Sequence, residues 1–246
     1  MTSIALHAGR VGRALLDFAL PPRCAACRTI VDEVDIFCAT CWGEVEFLSG
    51  GCVTCGLPLA GTDAEQCAAC LAAPPLISRT RAAVAYGPIA RQLALRLKYG
   101  RKVAVARTMA RYMAGLAGGW DRAPLILPVP LHRRRLWWRG FNQAALIASQ
   151  LAKRWPADLN NHLLIRTKST QSLKGLGHDQ RRRALRGAFA VADKAAVKGR
   201  IVVLVDVVLA SGATSEACAR VLRRAGAERV ELVCWARVVR AARFMR

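Results

Sequence analysis

The stretch RIVVLVDVVLASGATSEACARVLRRAGAERVELVCWARV, residues 200–238, decides the fold. It opens on an apolar run interrupted only by Asp206, the pattern of a strand buried on both faces. A loop of small residues, Ala210, Ser211, Gly212, Ala213 and Thr214, follows, then a helical pattern and a second apolar strand, ERVELVCWARV. A strand that ends in an acid and turns through small residues into a helix aims backbone N–H groups at one point, which suits a phosphate. Ser211 and Thr214 add hydroxyl donors, Gly212 lets the backbone approach an anion, and Asp206 stands where it can accept hydrogen bonds from sugar hydroxyls. An ordinary strand-to-helix turn is the competing reading of the loop alone.

The same alternation continues upstream. An apolar stretch at Arg81 to Tyr86, helical spacing from Ile89 to Leu116, the run LILPVP at 125–130, a helix from Asn142 to Arg154, a short apolar run at His162 to Ile165 and the strand GAFAV alternate with polar connectors. Strands separated by helices imply an α/β domain with a parallel sheet covered on both faces. The connector LAAPPLISRT at 71–80 separates it from a different front segment, giving expected domains of 1–76 and 77–246.

That front segment holds eight of the ten cysteines, in four CxxC pairs: Cys24 and Cys27, Cys38 and Cys41, Cys52 and Cys55, Cys67 and Cys70. Each CxxC knuckle turns two thiolates to one side, and two knuckles complete a tetrahedral zinc site. Eight cysteines therefore make two Zn2+ sites. Disulfides, which need an oxidising compartment, and iron–sulfur ligation are the rivals. Short separations favour 24, 27, 38 and 41 around one ion and 52, 55, 67 and 70 around the other, with interleaved pairing as the alternative. All-cysteine closure points to a structural metal rather than a catalytic one. Cys218 and Cys234 stand alone and read as buried thiols; His132, His162 and His178 have no partner at metal spacing.

Charge divides at the same place. Residues 1–78 carry four Arg against eight carboxylates, a net of −4, so with a total of +22 the remainder carries +26. A strongly basic half suits polyanionic partners. VPLHRRRLWWRGFNQA, at 129–144, packs Arg133, Arg134, Arg135 and Arg139 around Trp137 and Trp138. A solvated face is the ordinary reading of Arg133 to Arg135, and core packing of the two tryptophans. Alternating cation and ring also suits single-stranded nucleic acid, where bases stack and phosphates pair. TQSLKGLGHDQRRRALRGAF, at 170–189, adds Arg181, Arg182, Arg183 and Arg186. No run of 18 apolar residues suggests a membrane span. The first twenty residues read as an amphipathic helix packed on the protein rather than a signal peptide, with the cytoplasm as the expected location.

The segment 202–214 resembles the phosphoribosyl pyrophosphate motif of the type I phosphoribosyltransferases, with one departure: the family's second acid is Val207 here. That valine removes a carboxylate that would hold a ribose hydroxyl, and Ala210 offers no carboxylate either. With the four knuckles and with VPL followed by RGFNQA, the chain resembles the ComF family of competence proteins over nearly its whole length. The resemblance implies a double zinc ribbon before a phosphoribosyltransferase-like domain, with Arg139 and Gly140 in a loop facing the pyrophosphate. It implies phosphoribosyl pyrophosphate, with Mg2+, as a ligand of Asp206 and the 210–214 loop. It also implies a role in internalising single-stranded DNA, with DNA-uptake machinery proteins as partners. An active phosphoribosyltransferase on an unknown acceptor is one alternative; a zinc-dependent interaction module with a catalytically dead domain is another.

Overall fold

A computed structural model describes residues 21–59, 64–100, 102–169 and 177–239. The expected N-terminal helix and the first part of the 170–189 loop fall outside these residues. In the described front segment two short helices, α1 (Ala39–Gly43) and α2 (Ala68–Ala72), follow the third cysteine of each ribbon. The larger part runs β1 (Arg79–Ala85), α3 (Pro88–Tyr99), α4 (Val105–Met113), β2 (Leu125–Pro128), α5 (Arg133–Arg139), α6 (Gln143–Leu151) and β3 (Asp158–Leu159). It continues through β4 (Leu164–Arg166), α7 (His178–Ala184), β5 (Phe189–Val191), β6 (Ile201–Leu209), α8 (Ala213–Arg224) and β7 (Arg229–Arg237).

Five strands form a parallel sheet in the order β1-β7-β6-β2-β3. β6 continues through α8 to β7 on one side, and β2 continues through α6 to β3 on the other. The adjacent pair β2 and β6 is thus the point where the chain reverses its direction of travel across the sheet. Crevices outside the carboxyl ends of such strands are where α/β folds bind ligands.

β6 is buried on both faces, as its apolar run requires. Val203, Val205 and Val207 face a cluster with Leu93, Leu97, Met109 and Ile147 of α3, α4 and α6. Val202, Leu204 and Leu209 face a second cluster with Cys218, Ala219 and Leu222 of α8. The result is three layers.

Three features differ from the sequence reading. The helical spacing from Ile89 to Leu116 is two helices, because Gly100 ends α3 by donating to the Arg96 carbonyl. β4 and β5 leave the parallel sheet and pair with each other antiparallel, Leu164 opposite Val191. Residues 46–48 lie antiparallel along β1, with Ala85 N–H donating to the Glu46 carbonyl (2.8 Å) and Leu48 N–H to the Ala83 carbonyl (3.0 Å). A free strand edge would expose unpaired backbone groups, and the front segment covers this one.

Candidate functional site

The cysteines gather as two sets, Cys24, Cys27, Cys38 and Cys41, and Cys52, Cys55, Cys67 and Cys70, each with its four sulfur atoms within 4.8 Å of one another. Pairing is sequential, and the interleaved alternative falls. Cys27 and Cys38 Sγ lie 3.5 Å apart and Cys55 and Cys67 Sγ 3.8 Å apart, close to the edge of about 3.8 Å that a tetrahedron with 2.3 Å Zn–S bonds requires. All ten cysteines are free of disulfides. Backbone N–H groups of Cys38 and Cys67 donate to the sulfurs of Cys24 and Cys52, 3.3 and 3.4 Å away, favouring thiolates. Hydrogen bonding at Thr29 brings Cys27 down to about 6. Burial pushes Cys52 up, but the N–H groups of Cys55, Cys67 and Thr54 outweigh it and bring it to about 6. The donor set and spacing fit structural zinc in both ribbons.

At the end of β6 the chain turns through Ala210, Ser211 and Gly212 into α8. Gly212 is the N-cap, at φ +74°, a left-handed conformation that favours glycine. Its carbonyl accepts from Ser215 Oγ at 2.9 Å. A cavity of about 240 Å³ opens over this turn, lined by Asp206, the 210–214 loop and Arg181.

A second cavity, of about 320 Å³, lies between the ends of β2 and β6 and shares Asp206, Val208 and Thr214 with the first. The two form one groove. Among the described residues its basic side chains are Lys98, Arg135, Arg139, Arg166 and Arg181, and its one carboxylate is Asp206. Burial pulls the Arg166 guanidinium below its ordinary value, and the neighbouring Arg135 adds to this. Burial pushes the Asp206 carboxyl up, opposed by the Val207 N–H, which donates to it at 2.7 Å, and by Lys98. Val207 lines the groove but is 3% exposed and packs into the apolar cluster, so the place of the absent second acid is filled with hydrocarbon.

Arg139 donates to Gln143 Oε1 at 3.2 Å and lies 5.4 Å above the ring of Tyr99. Asn142 caps α6 by accepting from Ala144 N–H and donates to the Val129 carbonyl, both at 3.0 Å, which ties the helix start to the end of β2. Arg139 and Gly140, which the resemblance placed in a loop, stand at the end of α5, a helix capped by His132 Nδ1, which accepts from Arg134 N–H, and ended by Gly140 at φ +81°. Arg139 is therefore the last residue of a helix, and Gly140 stops that helix without lining the groove.

α5 divides its residues between two faces. Arg135 and Arg139, four apart, turn into the groove. Arg133, Arg134, Trp137 and Trp138 surround a separate open cavity of about 620 Å³ on the outer side. Trp137 is 88% and Trp138 64% exposed, which overturns core packing for both. Arg135 thus lines the groove rather than the outer basic face, and Arg181 lines the cavity over the 210–214 loop, while Arg182, Arg183 and Arg186 are exposed. Sequence reasoning missed Lys98, Tyr99 and Arg166; each arrives from a remote element with no local motif. Cys218 and Cys234 are fully buried, and burial pushes both thiols up. Among the described residues no helix is long and apolar enough to cross a membrane.

The family model described as "Double zinc ribbon domain" matches residues 15–71. The DNA utilization protein YhgH of Escherichia coli O157:H7 is 32% identical over 194 residues, 76% of this chain and 84% of that protein. Competence protein F of Haemophilus influenzae is 30% identical over 227 residues, 89% of this chain and 92% of that protein. Among solved structures, glutamine phosphoribosylpyrophosphate amidotransferase from B. subtilis matches with a TM-score of 0.39 and 18% identity over 57% of this chain and 30% of that one. A hypoxanthine phosphoribosyltransferase from Staphylococcus aureus matches with a TM-score of 0.35 and 15% identity over 52% of this chain and 61% of that one.

Proposed function

The chain belongs to the ComF family, and from that premise we propose that it is a cytoplasmic accessory protein of DNA uptake that binds single-stranded DNA and a phosphorylated ligand. The observation that carries this is the two-faced helix α5. Its outer face offers two exposed indole rings beside Arg133 and Arg134, the combination that stacks bases and pairs phosphates without reading sequence. Its inner face adds Arg135 and Arg139 to the groove above the 210–214 loop, where planar guanidinium groups suit phosphoryl oxygens. Phosphoribosyl pyrophosphate or a related phosphate fits this chemistry, with the loop holding the phosphate and Asp206 meeting a ribose hydroxyl. Mg2+ would accompany the pyrophosphate, and DNA-uptake machinery proteins would supply or receive the strand. The two ribbons hold zinc for stability and leave the chemistry to the groove.

The test is binding of an oligothymidylate by fluorescence anisotropy across a salt series, beside calorimetry with phosphoribosyl pyrophosphate with and without Mg2+. Replacing Trp137 and Trp138 by Ala is expected to weaken DNA binding by about 1–3 kcal/mol for each stacked base. Replacing Arg133 and Arg134 by Ala should flatten the salt slope by about 0.7 for each phosphate that an arginine no longer neutralises. Folded variants that bind as the parent does would remove the outer face from the function.

A further inference from the structure

The groove and the outer face of α5 are backed onto the same seven residues. That geometry, with the donors left over inside the groove, bears on which phosphate the groove takes. Gln143 is 2% exposed and lines the groove; its Oε1 accepts from Arg139, which fixes its Nε2 as a donor, and that Nε2 meets no acceptor. Arg139 Nε is likewise buried without an acceptor. Buried donors without acceptors are costly, and such positions in a native site point to a missing acceptor group. The surrounding charge says what kind. Among the described residues the groove is lined by Lys98 and four arginines, and by one carboxylate, Asp206, whose oxygen already accepts from the Val207 N–H.

An internal phosphodiester carries one charge and two free oxygens. A terminal phosphate monoester carries a charge of about −1.5 to −2 and three strong acceptor oxygens, a closer match to converging loop N–H groups, arginines and an amide donor. A helix with its side chains is about 10–12 Å across, and a stacked strand advances about 3.4 Å per nucleotide, so roughly three or four nucleotides lead from the groove over α5 to the tryptophans.

Resting on the function proposed above, we infer that the groove between Thr214 and Gln143 binds the phosphorylated end of the single strand whose following bases stack on Trp137 and Trp138. Such a strand end would compete with phosphoribosyl pyrophosphate for the groove, and unlike the pyrophosphate it needs no divalent cation, because the basic side chains of the groove supply the countercharge.

Three eight-nucleotide oligothymidylates, bearing a 5′-phosphate, a 3′-phosphate or hydroxyls at both ends, are titrated into the full-length zinc-loaded protein with EDTA-free buffer and no added magnesium. One phosphorylated oligonucleotide is expected to bind at least about tenfold tighter than the hydroxyl-ended one, and the preferred end gives the polarity of the strand. Saturating inorganic pyrophosphate should erase that ratio by occupying the groove, and Gln143→Ala should reduce it toward one. Equal affinity for all three ends would overturn the inference, as would a preference that survives saturating pyrophosphate. Failure of every oligonucleotide to bind would remove the proposed function itself, so the two failures are distinguishable. The pyrophosphate arm needs no variant and stands even if Gln143→Ala does not fold.

Discussion

In the first ribbon the residue after the second cysteine is Arg28, at φ +71°, and in the second it is Gly56, at φ +68°. The surrounding backbone repeats as well. Cys24 N–H donates to the Thr29 carbonyl and Cys52 N–H to the Leu57 carbonyl, both at 2.8 Å, and each ribbon closes with a short helix carrying its fourth cysteine. What stands behind the two knuckles differs. The first ribbon enters the large apolar cluster through Cys24, Ala26, Phe37, Cys41 and Val45, and Phe37 stacks on Tyr112 with centroids 5.0 Å apart. Arg96 donates to the Ala25 carbonyl at 2.7 Å, and Arg107 pairs with Asp35 at 3.2 Å. The second ribbon docks through backbone: Thr80 N–H donates to the Thr54 carbonyl at 2.7 Å and Arg237 to the Cys55 carbonyl. It also shares a cavity with Leu209 to Gly212, so it borders the turn between β6 and α8. One cysteine knuckle extends the core; its copy sits beside the turn at the end of β6.

The largest expected difference follows from removing one metal at a time. Cys41 and Cys70 occupy equivalent places and are equally buried, at 6% each. Structural zinc supplies an apparent ~10–16 kcal/mol in isolated fingers. Cys41→Ser should lower the zinc content from two to one and cost more than about 5 kcal/mol, or more than about 10 °C in Tm for a chain of this size. Cys70→Ser should likewise lower the zinc content to one, by emptying the second ribbon, with less than half that shift, while weakening pyrophosphate binding at the neighbouring loop about fivefold, the equivalent of about 1 kcal/mol. Elemental analysis, calorimetric melting and pyrophosphate titration read these outcomes. Equal melting shifts would break the comparison.

Phe37→Ala probes the core contact without touching a ligand. A buried aromatic truncated to alanine costs about 3–5 kcal/mol, and the stacking on Tyr112 goes with it. Zinc content should stay at two while the denaturant midpoint falls. A loss of the first metal instead would mean that the ring secures the knuckle rather than its seat.

What the sequence made legible follows from how much each signal is confined to neighbouring residues. Four CxxC pairs define both metal sites because ligand chemistry needs those spacings, and β6, α8 and β7 are legible because a strand buried on both faces is a continuous apolar run. α5 was not legible as a helix: it has no buried residue, so it shows no apolar period, and it is held by the His132 cap and the Gly140 stop. The separation of Arg135 from Arg133 and Arg134 depends on that helix and was hidden with it. Lys98, Tyr99 and Arg166 reach the groove from the ends of α3 and β4, which only the folded chain brings together.

The smallest effects come from the two positive-φ positions, and they should differ in sign or size despite matching backbones. At Gly56 a Cβ would lie 2.4 Å from the Thr80 carbonyl oxygen, so a side chain there both strains the left-handed backbone and pushes the second ribbon off β1. Left-handed strain is about 1–2 kcal/mol and overpacking about 1–3, so Gly56→Ala should cost roughly 2–4 kcal/mol. Arg28 carries an exposed side chain at a matching φ. Arg28→Gly relieves the strain but adds freedom to the unfolded chain, about 0.5–1 kcal/mol in the opposite direction, so the net change should stay within about 1 kcal/mol. Urea melts of the two variants decide it. If Gly56→Ala is as mild as Arg28→Gly, the second ribbon does not press on β1, and its close docking beside the 210–214 loop is not part of the folded state in solution.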